Sequence, residues 1–369
     1  MDTAADFRWM RLALSLGRRG QGRTWPNPAV GCVIVDNGRV VGRGWTQPGG
    51  RPHAETEALV QAGEAARGAT AYVSLEPCAH HGRTPPCAQA LIDAGIARVV
   101  APIEDSDARV AGQGFAMLRA AGIDVQTGIC AAEAEEDHAG FFLKTDLGRP
   151  WVTLKLASSF DGRIATATGQ SQWITGPAAR RKVHAMRARH DAVMVGAGTA
   201  RADDPSLTVR DLGIRAQPVR VVVSRRLDLP LISTLARTAK DVPVWLMHGT
   251  DADPERLRAW QGVGAELFPC ATAGAQLDPS DVLTQLGSAG LTRVFCEGGS
   301  ALAASLLSAD LVDELVGFSA GLAIGAEGLP AIGALGLDHL QEAPRYALFD
   351  VDTVGGDILH RWRRATDQP

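Results

Sequence analysis

Basic residues are not in excess in this chain. Thirty-seven lysines and arginines stand against 41 aspartates and glutamates, a net charge of −4. That balance argues against broad electrostatic capture of nucleic acid or of an anionic membrane. Cysteine is too sparse for a disulfide framework: six in 369 residues. Cys32, Cys130, Cys270 and Cys296 read most simply as reduced, buried thiols of a cytoplasmic protein. Asp2, Asp6 and Arg8 occupy the place where a secretory leader would have its apolar core, so no leader is expected. The apolar stretch over residues 321–337 is broken by Glu327, Pro330 and several glycines, which disqualifies it as a membrane span. No internal repeat or low-complexity tract is present. What remains is a globular, enzyme-like composition, 46% apolar and 21% charged, at a length that asks for two or three domains.

One constellation carries chemistry. His53-Ala54-Glu55 is followed by Pro77-Cys78 and then by Cys87. An imidazole and two thiolates are three good zinc ligands, and they leave the fourth tetrahedral position open, as a catalytic site requires. Glu55 is too close in sequence to His53 to bind the same ion easily, but it can reach a water held there. The order His-x-Glu, then Pro-Cys and a second Cys, is the general pattern of zinc deaminases. It predicts hydrolytic deamination of an amino-substituted ring, with zinc lowering the pKa of water to about 7 and Glu55 shuttling the proton. A lone His-x-Glu would more simply be read as two ordinary buried residues; the full set reverses that.

The surrounding sequence supports this placement. Residues 30–36 and 39–44 are apolar runs joined by Asn37-Gly38, a tight-hairpin signal because both turn residues need positive φ. A short helix is predicted from Glu57 up to Gly63, and a second from Pro85-Pro86-Cys87, with proline in its first turn. His53 and Cys87 would then lie at helix N-termini, which favour thiolate and hydroxide. Residues 70–75, 96–101 and 123–125 read as strands, with residues 115–121 helical, giving an α/β sandwich. Residues 131–145 read as a helix. The polar, breaker-rich run Asp146-Leu147-Gly148-Arg149-Pro150 is the expected boundary, dividing the chain into domains at 1–147 and 148–369.

The second part alternates again. Strands are expected at residues 151–157, 192–195, 219–223, 242–247 and 292–296, helices at 178–189, 254–261 and 279–286. A closing hairpin is expected at residues 347–354 and 358–362 around Gly355-Gly356-Asp357. Gly196-Ala197-Gly198-Thr199-Ala200-Arg201 follows a strand but is a poor Rossmann fingerprint, since Arg201 stands where a small residue is needed. Glu297-Gly298-Gly299-Ser300-Ala301-Leu302 is a better phosphate candidate: glycines admit a close approach and a helix N-terminus follows. Taken alone, it could equally be a tight turn without a ligand.

Eight residues separate Cys78 from Cys87, where deaminases of nucleosides or nucleic acid usually have two. The stretch Cys78-Ala79-His80-His81-Gly82-Arg83-Thr84-Pro85-Pro86-Cys87 resembles the corresponding loop of the bifunctional riboflavin-biosynthesis deaminase/reductases. So do Pro26-Asn27-Pro28-Ala29-Val30-Gly31-Cys32 and Val110-Ala111-Gly112-Gln113-Gly114. In the second part, the runs beginning Leu154-Lys155-Leu156-Ala157, Ser171-Gln172-Trp173 and Asp203-Asp204-Pro205-Ser206-Leu207 are similar to the reductase half of the same family.

The resemblance implies a cytidine-deaminase-like α/β/α sandwich followed by a dihydrofolate-reductase-like α/β domain that uses NADPH, beside one zinc per chain. It implies that Asn27 and His80 contact the pyrimidine and that Arg83 helps hold the ribose phosphate, unless Arg83 is only a solvated surface cation. It places Ala157, Trp173, Thr199, Asp203, Ser224, Gly298, Gly299 and Ser300 around the cofactor. It places Lys155, Ser171, Arg187, Leu207, Arg210 and Glu297 at the substrate, where the arginine forks suit a phosphate monoester. Two departures stand out. Thr46 occupies the position, seven residues before His53, where many relatives have a second histidine. Residues 104–108 also lack the prolines common there, which is read as a matter of loop rigidity.

The implied partners are phosphoribosylated pyrimidines, with no nucleic acid and no membrane; assembly of like chains is left open. The rival reading is a nucleoside or nucleic-acid deaminase with a non-catalytic C-terminal assembly domain. A basic face and closely spaced cysteines would favour it, and neither is present.

Overall fold

A computed structural model describes residues 3–80, 85–107 and 110–365. The chain forms two compact units, Met1–Gly148 and Arg149–Pro369.

In the first unit the order is α1 (Thr3–Gly17), β1 (Gly31–Asp36), β2 (Arg39–Trp45), α2 (Ala54–Ala62), β3 (Thr70–Val73), α3 (Cys87–Asp93), β4 (Arg98–Val100), α4 (Gln113–Ala120), β5 (Asp124–Gln126) and α5 (Ala131–Leu147). The strands lie in the order β2-β1-β3-β4-β5. β1 is antiparallel to both neighbours, and β3, β4 and β5 run parallel. Asn37 and Gly38 close the hairpin with φ of 47° and 74°. Alternate residues face opposite layers, as the strand period demands. Cys32, Ile34, Ala71 and Val73 pack against Ala54 and Ala58 of α2, Ala88 and Leu91 of α3, and Leu118 of α4. Val33, Val35 and Tyr72 pack against Trp9, Met10 and Leu14 of α1 and Ala134 of α5. The result is a three-layer α/β/α sandwich. Truncating Leu91 or Leu118, both fully buried, would cost about 2–5 kcal/mol.

Close approach sets the position of α2. A Cβ on Gly42 would fall 2.1 Å from the Ala58 carbonyl oxygen, and one on Gly44 2.3 Å from that of Ala54. Only glycines let the helix lie flush on β2. The helix at Cys87 starts later than its prolines suggest: Pro86, with ψ of 144°, is the residue before the first turn and not within it.

In the second unit the strands are β6 (Trp151–Ser159), β7 (Arg163–Ala165), β8 (Ala192–Gly196), β9 (Val219–Val223), β10 (Val244–Gly249), β11 (Glu266–Cys270), β12 (Thr272–Ala273), β13 (Gln276–Leu277), β14 (Arg293–Cys296), β15 (Glu314–Ala320), β16 (Leu329–Pro330), β17 (Tyr346–Val354) and β18 (Asp357–Arg364). The helices are α6 (Pro177–Arg187), α7 (Ala197–Asp203), α8 (Thr234–Arg237), α9 (Pro254–Gly262), α10 (Pro279–Ser288) and α11 (Ser300–Ser308). Nine strands form one sheet in the order β11-β10-β9-β8-β14-β6-β15-β18-β17. Those from β11 to β15 are mutually parallel, and the closing hairpin β17–β18 is antiparallel. β7 pairs with β16 and β12 with β13 as small separate ribbons. β14 enters late in the chain between β8 and β6, and a reversal of strand order of this kind opens a crevice at the carboxyl ends of the strands. Among the described residues no helix is long and apolar enough to cross a membrane.

Candidate active sites

In the first unit three loops converge. His53 is the residue before α2, Glu55 lies in that helix's first turn, Cys78 follows β3 and Cys87 opens α3. His53 Nδ1 is 3.2 Å from Cys87 Sγ and 3.7 Å from Cys78 Sγ. The Cys87 backbone N–H donates to Cys78 Sγ at 3.3 Å. All three candidate ligand atoms lie within 4.8 Å of one another. For zinc, with Zn–S of about 2.3 Å and Zn–N of about 2.0 Å, tetrahedral ligand atoms sit roughly 3.5 Å apart, so the donor set fits.

The three groups are electrostatically linked. The Cys87 thiol hydrogen-bonds to Cys78 and, with His53, pulls the Cys78 thiol down to about 4 against the effect of burial. His53 is raised by its bond to Cys78, and Cys87 is pushed up by Cys78 and by burial. Glu55 is 3% exposed, and burial raises its carboxyl above the usual range.

His53, Glu55 and Cys78 open into a cavity of about 430 Å³, lined also by Asn27, Thr46, His80 and Asp105. Asn27 Nδ2 donates to the Gly50 carbonyl at 3.0 Å. Gly50 has φ of +84°, and a Cβ there would lie 2.2 Å from that nitrogen, so the clamp needs glycine. His80 Nδ1 is buried with no hydrogen-bond partner among the described residues, as fits a group kept for a ligand. The Thr46 hydroxyl is committed to the fold, accepting from Val30 N at 3.0 Å. Arg83 lies outside the described residues. Asp105 was not singled out by any sequence signal; burial pushes its carboxyl up to about 6.

The second unit has a cavity of about 710 Å³ at the carboxyl ends of β6, β8, β9 and β14. Lys155, Ala157, Ser171, Thr199, Asp203 and Ser224 line it, together with the turn Glu297-Gly298-Gly299-Ser300. Gly298 and Gly299 have φ of 85° and 89°, and a Cβ on Gly299 would fall 2.9 Å from Thr199 Oγ1. The turn is thus a bare-backbone cradle leading into α11, suited to a phosphate bridge. Lys155 Nζ is 3.9 Å from Glu297 Oε2. Burial would raise Glu297, but Arg187 and Lys155 outweigh it and hold the carboxyl low. Burial lowers Lys155 and raises Asp203.

Four expected residues do not line this cavity: Trp173, Arg187, Leu207 and Arg210. The Arg187 fork, expected to suit a phosphate, is spent on Glu297 Oε1 and Oε2 and on the Thr208 carbonyl. Leu207 is 2% exposed and packs in the core, so its side chain is occupied. Trp173 is 66% exposed and stacks with Arg180, the guanidinium carbon 4.3 Å from the ring centre. Arg210 is exposed and in no ion pair among the described residues, and its backbone N–H meets His184 Nδ1 at 3.3 Å. Arg201 pairs with Asp228 at 2.7 Å across the cavity rim, consistent with a turn that is not of the Rossmann type.

Comparison with known proteins covers the chain end to end. Residues 3–102 match the cytidine and deoxycytidylate deaminase zinc-binding region, and residues 150–360 match the RibD C-terminal domain. The riboflavin biosynthesis protein RibD of Escherichia coli K12 is 42% identical, covering 96% of this chain and 98% of its own length. That of Aquifex aeolicus is 39% identical over 97% and 98%. Among solved structures, Acinetobacter baumannii RibD superposes with a TM-score of 0.88 at 38% identity, covering 99% of this chain and 100% of its own. A Thermotoga maritima diaminohydroxyphosphoribosylaminopyrimidine deaminase/5-amino-6-(5-phosphoribosylamino)uracil reductase does so at 0.86 and 32%, with the same coverage. With both cavities and both matches in sequence order, the chain belongs to the RibD family of riboflavin-biosynthesis proteins.

Proposed function

We propose that this chain is a bifunctional enzyme of riboflavin synthesis. The first unit hydrolyses the 2-amino group from 2,5-diamino-6-(5-phosphoribosylamino)pyrimidin-4(3H)-one. The second reduces the ribosyl side chain of the resulting 5-amino-6-(5-phosphoribosylamino)uracil to ribityl. The observation that carries this reading is the convergence of His53, Cys78 and Cys87 within 4.8 Å of one another, with His53 and Cys78 lining one cavity beside a buried Glu55, in a chain whose second unit has its own glycine-turn cavity.

His53, Cys78 and Cys87 would hold zinc, which lowers the pKa of water to about 7 and so readies it for attack at neutral pH. Glu55 accepts a proton from that water and returns it to the ring nitrogen and the departing ammonia. Asn27, steadied by Gly50, and His80, with its unpartnered Nδ1, hold the pyrimidine ring. Arg83 is assigned to the ribose phosphate.

In the second unit NADPH supplies the hydride. Gly298, Gly299 and Ser300 would hold its phosphates, with Ala157, Thr199, Asp203 and Ser224 around it; Trp173, stacked on Arg180, lies outside this lining. Lys155, Ser171 and Glu297 orient the sugar. Arg187 acts through Glu297, which it clamps, and Leu207 acts only by packing in the core. Arg210, left uncommitted, meets the phosphate. The substrates are small molecules; nucleic acid and membrane are not partners, and the four thiols outside the zinc set, Cys32, Cys130, Cys270 and Cys296, suit the cytoplasm.

The test is to follow ammonia release and NADPH oxidation separately on the phosphoribosylated diaminopyrimidine. Both should occur, in that order. Ammonia release with no NADPH oxidation from the deaminated product would remove the reductase half of the reading.

A further inference from the structure

We propose that Glu76 is the positioning residue of the deaminase cavity: its carboxylate pins both ends of one cavity wall to the segment that carries Cys78. The inference rests on the deaminase reading above. Glu76 is 3% exposed and stands two residues before Cys78, so it shares a short stretch of chain with a proposed zinc ligand. Among the described residues its side chain accepts from three backbone N–H groups, all from beyond β4. Oε2 accepts from Asp105 at 3.1 Å and from Gly112 at 2.9 Å. Oε1 accepts from Phe115 at 3.1 Å. The Glu76 backbone N–H adds a fourth tie, donating to the Ile103 carbonyl at 3.2 Å.

Gly112 and Phe115 flank the start of α4, a helix whose preceding residue is a glycine with no side chain to cap it. The first N–H groups of a helix have no partner within it; Glu76 satisfies that of Phe115, in the role an Asp or Asn at the cap would fill, and also holds the N–H of Gly112, the residue before the helix. This explains the Val110-Ala111-Gly112-Gln113-Gly114 stretch. Gly112 takes φ of +72° to turn the chain onto the carboxylate. A Cβ on Gly114 would fall 2.0 Å from the Pro77 carbonyl oxygen, so α4 can dock beside Cys78 only with glycine there.

The pinned wall faces the chemistry. Glu76, Asp105, Asp107 and Val110 line the same cavity as Glu55 and His80. A slack wall would leave the metal ligands intact and loosen the fit around the substrate. The carboxylate is required because both oxygens accept. An amide has one accepting oxygen and turns its NH2 toward backbone N–H groups, leaving at least one donor unpaired.

The experiment uses the full-length, zinc-loaded enzyme with Glu76→Gln and Glu76→Asp. Zinc content, deamination kinetics, reductase turnover on the deaminated substrate, and amide hydrogen exchange are measured on each. Glu76→Gln should raise the deaminase KM roughly ten- to a hundredfold, the effect of one or two lost charge-assisted bonds. Zinc content and reductase turnover should stay at the parent level, and faster exchange should be confined to residues 103–115. Glu76→Asp, which keeps both oxygens on a shorter arm, should fall between parent and Gln, and it decides the matter if the Gln variant does not fold. Parent-like KM and exchange would overturn the proposal. So would loss of zinc with exchange spreading through residues 53–93, which would make Glu76 part of the metal scaffold. A parent enzyme that releases no ammonia would instead sink the deaminase reading, and the exchange measurement would still test the pinning.

Discussion

A carboxyl group that takes a proton and then gives it back works best when its pKa is near the working pH. Burial lifts Glu55 in that direction, with His53 opposing and the Cys78 thiolate adding to the rise. Glu55→Gln should therefore keep its zinc by metal analysis and lose deamination by about 100- to 10,000-fold, while still oxidising NADPH on the deaminated substrate. Turnover within a few-fold of the parent would remove Glu55 from the proton path. A second residue sets a pH limit on stability. His190 is buried against Phe295, ring centres 5.0 Å apart, and burial drives its pKa down to about 4. Below about pH 6.5 the unfolded chain binds a proton that the folded one refuses. This contribution is thus fully present above that pH and falls away toward pH 4, about 2 kcal/mol of it gone by pH 5. Denaturant unfolding of the second unit at pH 7 and pH 5 should show this loss, with a shallower dependence for His190→Asn; equal slopes would refute it. At this scale the metal ligands and Glu55 were legible because their residue types and order have few other uses. Arg187 was not: nothing in a basic helix tells which cation turns inward to Glu297.

Among the elements, the turn between β14 and α11 joins sheet to cofactor. Its two glycines both take positive φ, and Gly299 has Thr199 directly across, where a Cβ would clash. Gly299→Ala should weaken NADPH binding about tenfold, through backbone strain at φ of 89° and the clash at Thr199. Fluorescence titration with NADPH checks this, and parent-like affinity would place the phosphates elsewhere. Most strands and helices of both units were readable from alternation and breakers. Two were not. α1, with Met10, Ala13 and Leu14 wholly buried, contains none of the chemical motifs. β15 alternates buried and half-buried residues, but it pairs with β6, far back in the chain. A short alternating run gives no sign of so distant a neighbour. Boundaries near proline also moved: the ring fixes φ, and whether the next residue enters a helix depends on what it packs against. Cys87 is held by the Cys78 sulfur.

At the scale of the whole molecule, the two units differ in how early their contacts can close. The first has all its strands by Gln126. The second begins with its central strand: β6 needs β14 on one side and β15 on the other. Arg149, its first residue, pairs in a fork with Asp313 at 2.8 and 2.9 Å, 164 residues downstream. At a synthesis rate of roughly 5–20 residues per second, that partner emerges roughly 10 to 30 s after the arginine. During that interval the nascent chain carries a first unit able to fold and an opening strand with nothing to pair. We expect nascent chains stalled near residue 250 to bind zinc and not NADPH, and equal acquisition of both at full length only would refute this. A ribosome making this protein thus carries a foldable hydrolase well before the reductase can form, so the order of the two reactions is also the order in which their catalysts come into being.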